Sequence, residues 1–160
     1  MQITQTVVRT EYDWVRERAP VVVPLVNETR SRLGEQFGVD VSSVSVEEYD
    51  DCIEAVFADG DRAVNVAALT RLLRTLDVDD DYPGFVVDEL LGRELAAMIA
   101  GDQPLRLLAE ATFHVADVHT HGREGDAAGA DDLDAALAAG TQTRIPGWPW
   151  REGASPFAVE

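Results

Sequence analysis

The residues with the clearest capacity for metal or acid–base chemistry lie in one stretch, FHVADVHTHGREGD, residues 113–126. It holds all three histidines of the chain, His114, His119 and His121, with Asp117 between them. On a helix that advances about 100° per residue, His114, Asp117 and His121 share one narrow face. Imidazole and carboxylate groups are ligands for zinc and iron, so these three residues are the candidate metal ligands.

A solvated helix face explains the same row of residues. Glu110 precedes His114 by four residues and Asp117 precedes His121 by four, which is the favoured order for an acid–cation pair on a helix. The row also lies away from the apolar side of the helix, which is expected to face the core. The apolar residues of that side are Leu107, Leu108, Ala111, Val115 and Val118. The sequence leaves both interpretations open.

The charge of the chain indicates adaptation to salt. Thirty acidic residues against thirteen basic ones give a net charge of −17, and every basic residue is arginine. Such a charge causes self-repulsion in dilute buffer, which molar salt screens. We interpret this charge as adaptation to the cytoplasm of a salt-accumulating halophile. The alternative is an acidic protein that sequesters a basic partner. No basic stripe that would bind nucleic acid is visible.

Other bulk features favour a cytoplasmic protein that does not enter a membrane. No apolar run approaches the roughly 18 residues of a membrane span, and the first residues lack the pattern of a secretory signal. The single Cys52 cannot form an internal disulfide, and its place in an apolar stripe predicts a buried structural thiol.

The periodicity of apolar residues predicts an all-α fold, a compact bundle of five to six helices with an irregular C-terminal tail. Ser45 and Glu48 have the spacing of a capping box, and Asp61 or Asn65 would cap the next helix. Further helices are expected over residues 84–100 and 104–122, and a short one in DDLDAALAAG, residues 131–140.

One segment has a competing interpretation. Asp59-Gly60 lies between two runs that contain apolar residues, which is a hairpin signal. A hairpin near residues 52–66 would make the fold α+β. The helical spacing matches better there, so we expect helices.

The domain prediction is a single helical domain over residues 1–140 and a tail over 141–160. The tail is rich in proline yet carries large rings, Trp148, Trp150 and Phe157, which are the candidate partner-binding residues. The alternative is that the tail packs on its own domain. A tail exchanged between two copies of the chain would both pack on a domain and bind a partner, so we favour a homo-oligomer.

The leading functional hypothesis is a small acidic protein that acts by protein–protein interaction or self-association. The first alternative is a zinc- or iron-binding helical protein, with hydrolase or oxidoreductase activity at His114, Asp117 and His121. The second is a transcriptional regulator that contacts nucleic acid through Arg62, Arg71 and Arg74, although arginines among many acids more often form local ion pairs. Phosphate-binding loops and nucleophile motifs are absent from the sequence, so it does not support an enzyme.

Overall fold

The computed structural model describes residues 1–76, 86–120 and 129–149. These residues form seven α-helices and one π-helical turn, and they contain no β-strand. The elements are α1 (Gln5–Glu17), α2 (Ala19–Phe37), α3 (Val46–Ala58), α4 (Gly60–Thr75), the π turn (Val87–Gly92), α5 (Arg93–Ala100), α6 (Leu105–Asp117) and α7 (Ala130–Arg144). The fold is all-α as predicted, with seven helices where five or six were expected.

The hairpin alternative for residues 52–66 is wrong, because α3 and α4 occupy that segment. The Ser45–Glu48 capping box that begins α3 is confirmed. The side chain of Asp59 accepts a hydrogen bond from the backbone N–H of Arg62, so it caps α4, and not Asp61 or Asn65. Asp59-Gly60 therefore begins a helix and does not form a strand turn.

Helix α7 lies at the centre of the bundle. Every residue from Asp132 to Thr143 is buried, and the helix contacts α2 to α6 and the π turn. Its alanine, glycine and threonine side chains are small, so neighbours can approach on all sides. The helix extends to Arg144, through the position where the sequence predicted the tail to begin.

A buried arginine closes the C-terminal end of α7. Arg30 of α2 is 1% exposed, and its guanidinium donates hydrogen bonds to the carbonyl oxygens of Gln142 at 2.8 Å and Pro146 at 3.0 Å. The same group donates to the carbonyl of Ser42 at 2.8 Å. Arg30 thereby satisfies carbonyls that a helix end leaves open and holds the chain after α7 against α2.

Helix α6 presents a different face to the core from the one predicted. Its buried residues are Ala109, Thr112, Phe113 and Ala116. Leu107 and Val118, expected in the core, are 58% and 69% exposed. The prediction was wrong because it followed large aliphatic residues, whereas α6 packs on the small side chains of α7.

In the described part of the chain, no helix combines the length and the apolar character needed to cross a bilayer.

Candidate metal centre

Three carboxylates from three separate elements meet at one end of the bundle. Asp88 belongs to the π turn, Asp117 ends α6, and Asp132 lies in the first turn of α7. One oxygen from each lies within 4.8 Å of the others. We call these residues the aspartate cluster. Asp132 is 8% exposed, and Asp88 and Asp117 are partly buried.

Two glycines allow close packing at the elements that carry the aspartate cluster. A Cβ on Gly92, the last residue of the π turn, would lie 2.5 Å from Cζ of Phe113 on α6. A Cβ on Gly129, just before α7, would lie 2.4 Å from the carbonyl oxygen of Leu73. Side chains at either position would push the elements apart, so Gly92 allows the π turn to approach α6, and Gly129 allows the start of α7 to approach α4.

The aspartate cluster is electrostatically unfavourable when all its members are ionised. Burial, and then repulsion from Asp131, Asp117 and Asp88, raise the pKa of Asp132 to about 8. Burial and the nearby Asp88 and Asp131 also raise the pKa of Asp117, which His114 partly offsets. Neighbouring carboxylates in a poorly solvated place therefore compete for a positive charge.

No arginine of the described ranges forms an ion pair with Asp88, Asp117 or Asp132. One carboxyl oxygen of Asp132 lies within 4.8 Å of an oxygen of Asp117. Oδ1 of Asp88 is inaccessible to solvent and has no hydrogen-bond partner in the described ranges. Buried polar oxygens are normally satisfied, so Oδ1 of Asp88 is available as an acceptor.

Among the predicted metal ligands, the structure places Asp117 in the aspartate cluster. His114 lies outside the cluster: its side chain is 45% exposed, and its Nε2 is 3.3 Å from Oε1 of Glu89. That partner is on the π turn, so the expected pair with Glu110 on the same helix is replaced by a contact between two elements. His121 lies outside the described residues.

Glu89 contacts both a histidine and an arginine on neighbouring elements. Its Oε1 faces His114, and its Oε2 lies 3.6 Å from Nη1 of Arg93 in the first turn of α5. All three side chains are 37% to 45% exposed. The backbone N–H of Arg93 donates to the carbonyl of Asp88.

The candidate partner-binding residues divide between buried and undescribed positions. Trp148 is 3% exposed, and its indole N–H donates to the carbonyl and side-chain oxygens of Gln142 at 3.3 and 3.2 Å. Its ring also meets Phe37 at 6.4 Å between centroids. Trp148 thus packs on its own domain. Trp150 and Phe157 lie outside the described residues, and their contact with a partner stays a prediction.

The three arginines considered for nucleic acid contact acids of the same chain. Arg71 and Arg74 lie 3.0 and 2.7 Å from the carboxylate of Glu11, which is fully buried. Arg62 lies 3.8 Å from Asp59. The guanidinium of Arg74 also lies over the ring of Trp14, 4.7 Å from its centroid. These contacts favour the local ion pairs that the sequence offered as the alternative.

Sequence reasoning missed Asp88 and Asp132. The π turn places one extra residue in its helical turn, which shifts the face on which Asp88 falls. Asp132 precedes a run of small residues without an aliphatic stripe, so its burial was not apparent. The signal that could have found Asp132 is the small-residue composition of residues 133–143. This composition is typical of a helix that is enclosed by its neighbours, and an acidic residue in the first turn of such a helix is unusual.

The chain is an all-α protein that carries a partly buried cluster of three carboxylates. The family model described as "Domain of unknown function (DUF7984)" matches residues 1–160, so the chain belongs to that family. No curated protein and no solved structure matches the chain.

Proposed function

We propose that this protein binds a divalent metal cation through Asp88, Asp117 and Asp132. The observation that carries the proposal is the convergence of three carboxylates, one of them more than nine-tenths buried, without a neutralising arginine among the described residues. A cation at the centre of the cluster would offset the repulsion that raises the pKa of Asp132.

The donor atoms favour a hard cation. Carboxylate oxygens suit Mg²⁺, Mn²⁺ and Ca²⁺, whereas zinc in proteins is held mostly by nitrogen and sulfur. The expected cation therefore differs from the zinc or iron that the sequence suggested for the histidines. His114 lies outside the aspartate cluster and contacts Glu89.

The size of the cluster fits one ion. Opposite oxygens around Mg²⁺ are about 4.2 Å apart, twice a bond of about 2.1 Å, and around Ca²⁺ about 4.6 to 5.2 Å. The ligand oxygens of the aspartate cluster already lie within 4.8 Å of one another. Binding therefore requires only small movements of side chains.

A calorimetric titration with Mn²⁺ tests the proposal. It is performed in about 1 M KCl, where the Debye length is about 3 Å and the acidic surface no longer collects ions non-specifically. We expect one saturable site per chain, and at least a tenfold loss of affinity in Asp132→Asn, which removes a buried ligand.

Asp61→Asn is the matched control, because it makes the same chemical change in the first turn of α4 at an exposed position. It is expected to bind Mn²⁺ like the natural chain. Binding that does not saturate, or that weakens equally in both variants, would show general attraction to an acidic surface and would refute the site.

A further inference from the structure

We propose that Arg62 and Arg144, whose guanidinium groups meet at Gly101, bind an oxyanion of the phosphate type. The site contains no residue of the aspartate cluster, so this inference is independent of the proposed metal.

The two guanidinium groups come from different helices. Arg62 lies in the first turn of α4, Arg144 ends α7, and Gly101 directly follows α5. A Cβ on Gly101 would lie 3.3 Å from Nη2 of Arg62 and 3.5 Å from Nη1 of Arg144. The two nitrogens are therefore no farther apart than twice 3.5 Å. Like charges repel at such a separation, and an anion that contacts both groups would relieve the repulsion.

The guanidinium group of Arg62 has only one weak partner in the described part of the chain. Its side chain is 22% exposed, and its Nη2 lies 3.8 Å from Oδ2 of Asp59, which is too far for a hydrogen bond. The other carboxylate oxygen, Oδ1, accepts from the backbone N–H of Arg62 and caps α4, so this carboxylate is held in place. Largely buried polar groups are normally hydrogen-bonded, so Arg62 is suited to donate to a ligand.

Arg144 is positioned to contact the same ligand. Its Nη1 donates to the carbonyl oxygen of Ile99 at 3.3 Å, which holds the guanidinium group at the C-terminal end of α5. An arginine carries five N–H donors, so a contact with one carbonyl is compatible with a contact to an anion.

Two guanidinium groups at one place favour phosphate among small anions. Guanidinium groups bind phosphate oxygens through charge-assisted hydrogen bonds of about 2.8 Å, often in parallel pairs. Phosphate has oxygens on several sides, so it can bridge donors from two helices, whereas the two oxygens of a carboxylate are matched by a single arginine. The chain as a whole has a net charge of −17, so we expect an anion to need both arginines.

NMR of the arginine side chains tests this site directly. Arginine is the only basic residue type of the chain, so ¹⁵N-labelled arginine reports on every basic side chain. Inorganic phosphate is titrated into the full-length protein with a metal chelator, in about 1 M KCl, where distant charges are screened. We expect two Nε–H signals to shift and saturate, and Arg62→Gln and Arg144→Gln assign them. Each of these variants should weaken phosphate binding about tenfold, through loss of a charge-assisted contact.

Arg32→Gln is the matched control, because Arg32 is 53% exposed and pairs with Glu28 on the same helix, α2. It is expected to bind phosphate like the natural chain. Arg62→Lys keeps the charge but loses the planar fork, so it should also bind phosphate more weakly, and it provides the test if Arg62→Gln does not fold. Thermal melting shows which variants are folded.

Three results would overturn the proposal. Arginine signals that all shift together without saturating would show general screening by the added salt. Saturable binding that neither Arg62→Gln nor Arg144→Gln weakens would place the anion elsewhere. Acetate that binds as tightly as phosphate would overturn the assignment of a phosphate-type ligand.

Discussion

One carboxyl oxygen of Asp117 on α6 lies within 4.8 Å of one carboxyl oxygen of Asp132 on α7. Two ionised carboxylates repel each other at this distance, and Asp88 adds a third carboxylate to the cluster. Protonation of Asp132 relieves this repulsion, and the proposed divalent cation would relieve it for all three groups. Protons and the proposed metal ion would therefore compete for the aspartate cluster.

The first prediction concerns the stability of the metal-free protein as pH rises. An Asp in the unfolded chain has a pKa of 3.8, and in the folded chain the pKa of Asp132 is about 8. Between these values the folded state holds one more proton than the unfolded state, so the free energy of unfolding falls as pH rises from about 4 to about 8. Chemical denaturation after chelation of metals measures this fall.

Asp132→Asn isolates the contribution of that one group. The amide cannot ionise, so the variant should lose less stability than the natural chain between pH 5 and pH 8 and melt higher at pH 8 without metal. Each kcal/mol corresponds to about 2–4 °C in a chain of this size. Parallel pH profiles for the two proteins would be incompatible with a buried, protonated Asp132.

A second prediction concerns the fully buried Glu11, which joins α1 to two arginines of α4. Glu11→Gln removes the charge that Arg71 and Arg74 share, and we expect it to lower the free energy of unfolding by about 2 kcal/mol. The effect is moderate because both arginines retain access to solvent. Urea denaturation measures it.

Glu54→Gln is the control for that change, since Glu54 is exposed on α3. A change below about 0.5 kcal/mol is expected there. Equal losses in the two variants would mean that the Glu11 ion pairs contribute nothing specific to stability.

The sequence predicted the class of fold and one member of the aspartate cluster. Asp117 was found because the periodicity of α6 places it beside histidine. The other two members could be predicted only from the packing. The π turn sets the side of the helix on which Asp88 lies, and Asp132 is buried because other helices enclose α7. Neither follows from the alternation of apolar and polar residues.

The rotation of α6 has the same origin. Leu107 and Val118 have larger apolar side chains than Ala109 and Ala116, so hydrophobicity alone assigns them to the core. Close contact with α7 selects the small residues instead, because only they allow the two backbones to approach. His114 lies away from this buried face: its side chain is 45% exposed and contacts Glu89.

A third prediction concerns salt. A net charge of −17 with arginine as the only basic residue predicts self-repulsion that salt relieves. The melting temperature should rise steeply between 0.1 and about 1 M KCl, where most screening occurs. Sucrose at matched osmolality is the control, and an equal rise in sucrose would attribute the effect to solvent exclusion instead of charge.

Anomalous X-ray scattering from crystals grown with Mn²⁺ in molar salt tests the metal site most directly. We predict one strong peak bonded at about 2.2 Å to an oxygen of each of Asp88, Asp117 and Asp132. A cluster without a peak at saturating Mn²⁺, with its carboxyl groups hydrogen-bonded to one another, would contradict the proposed function.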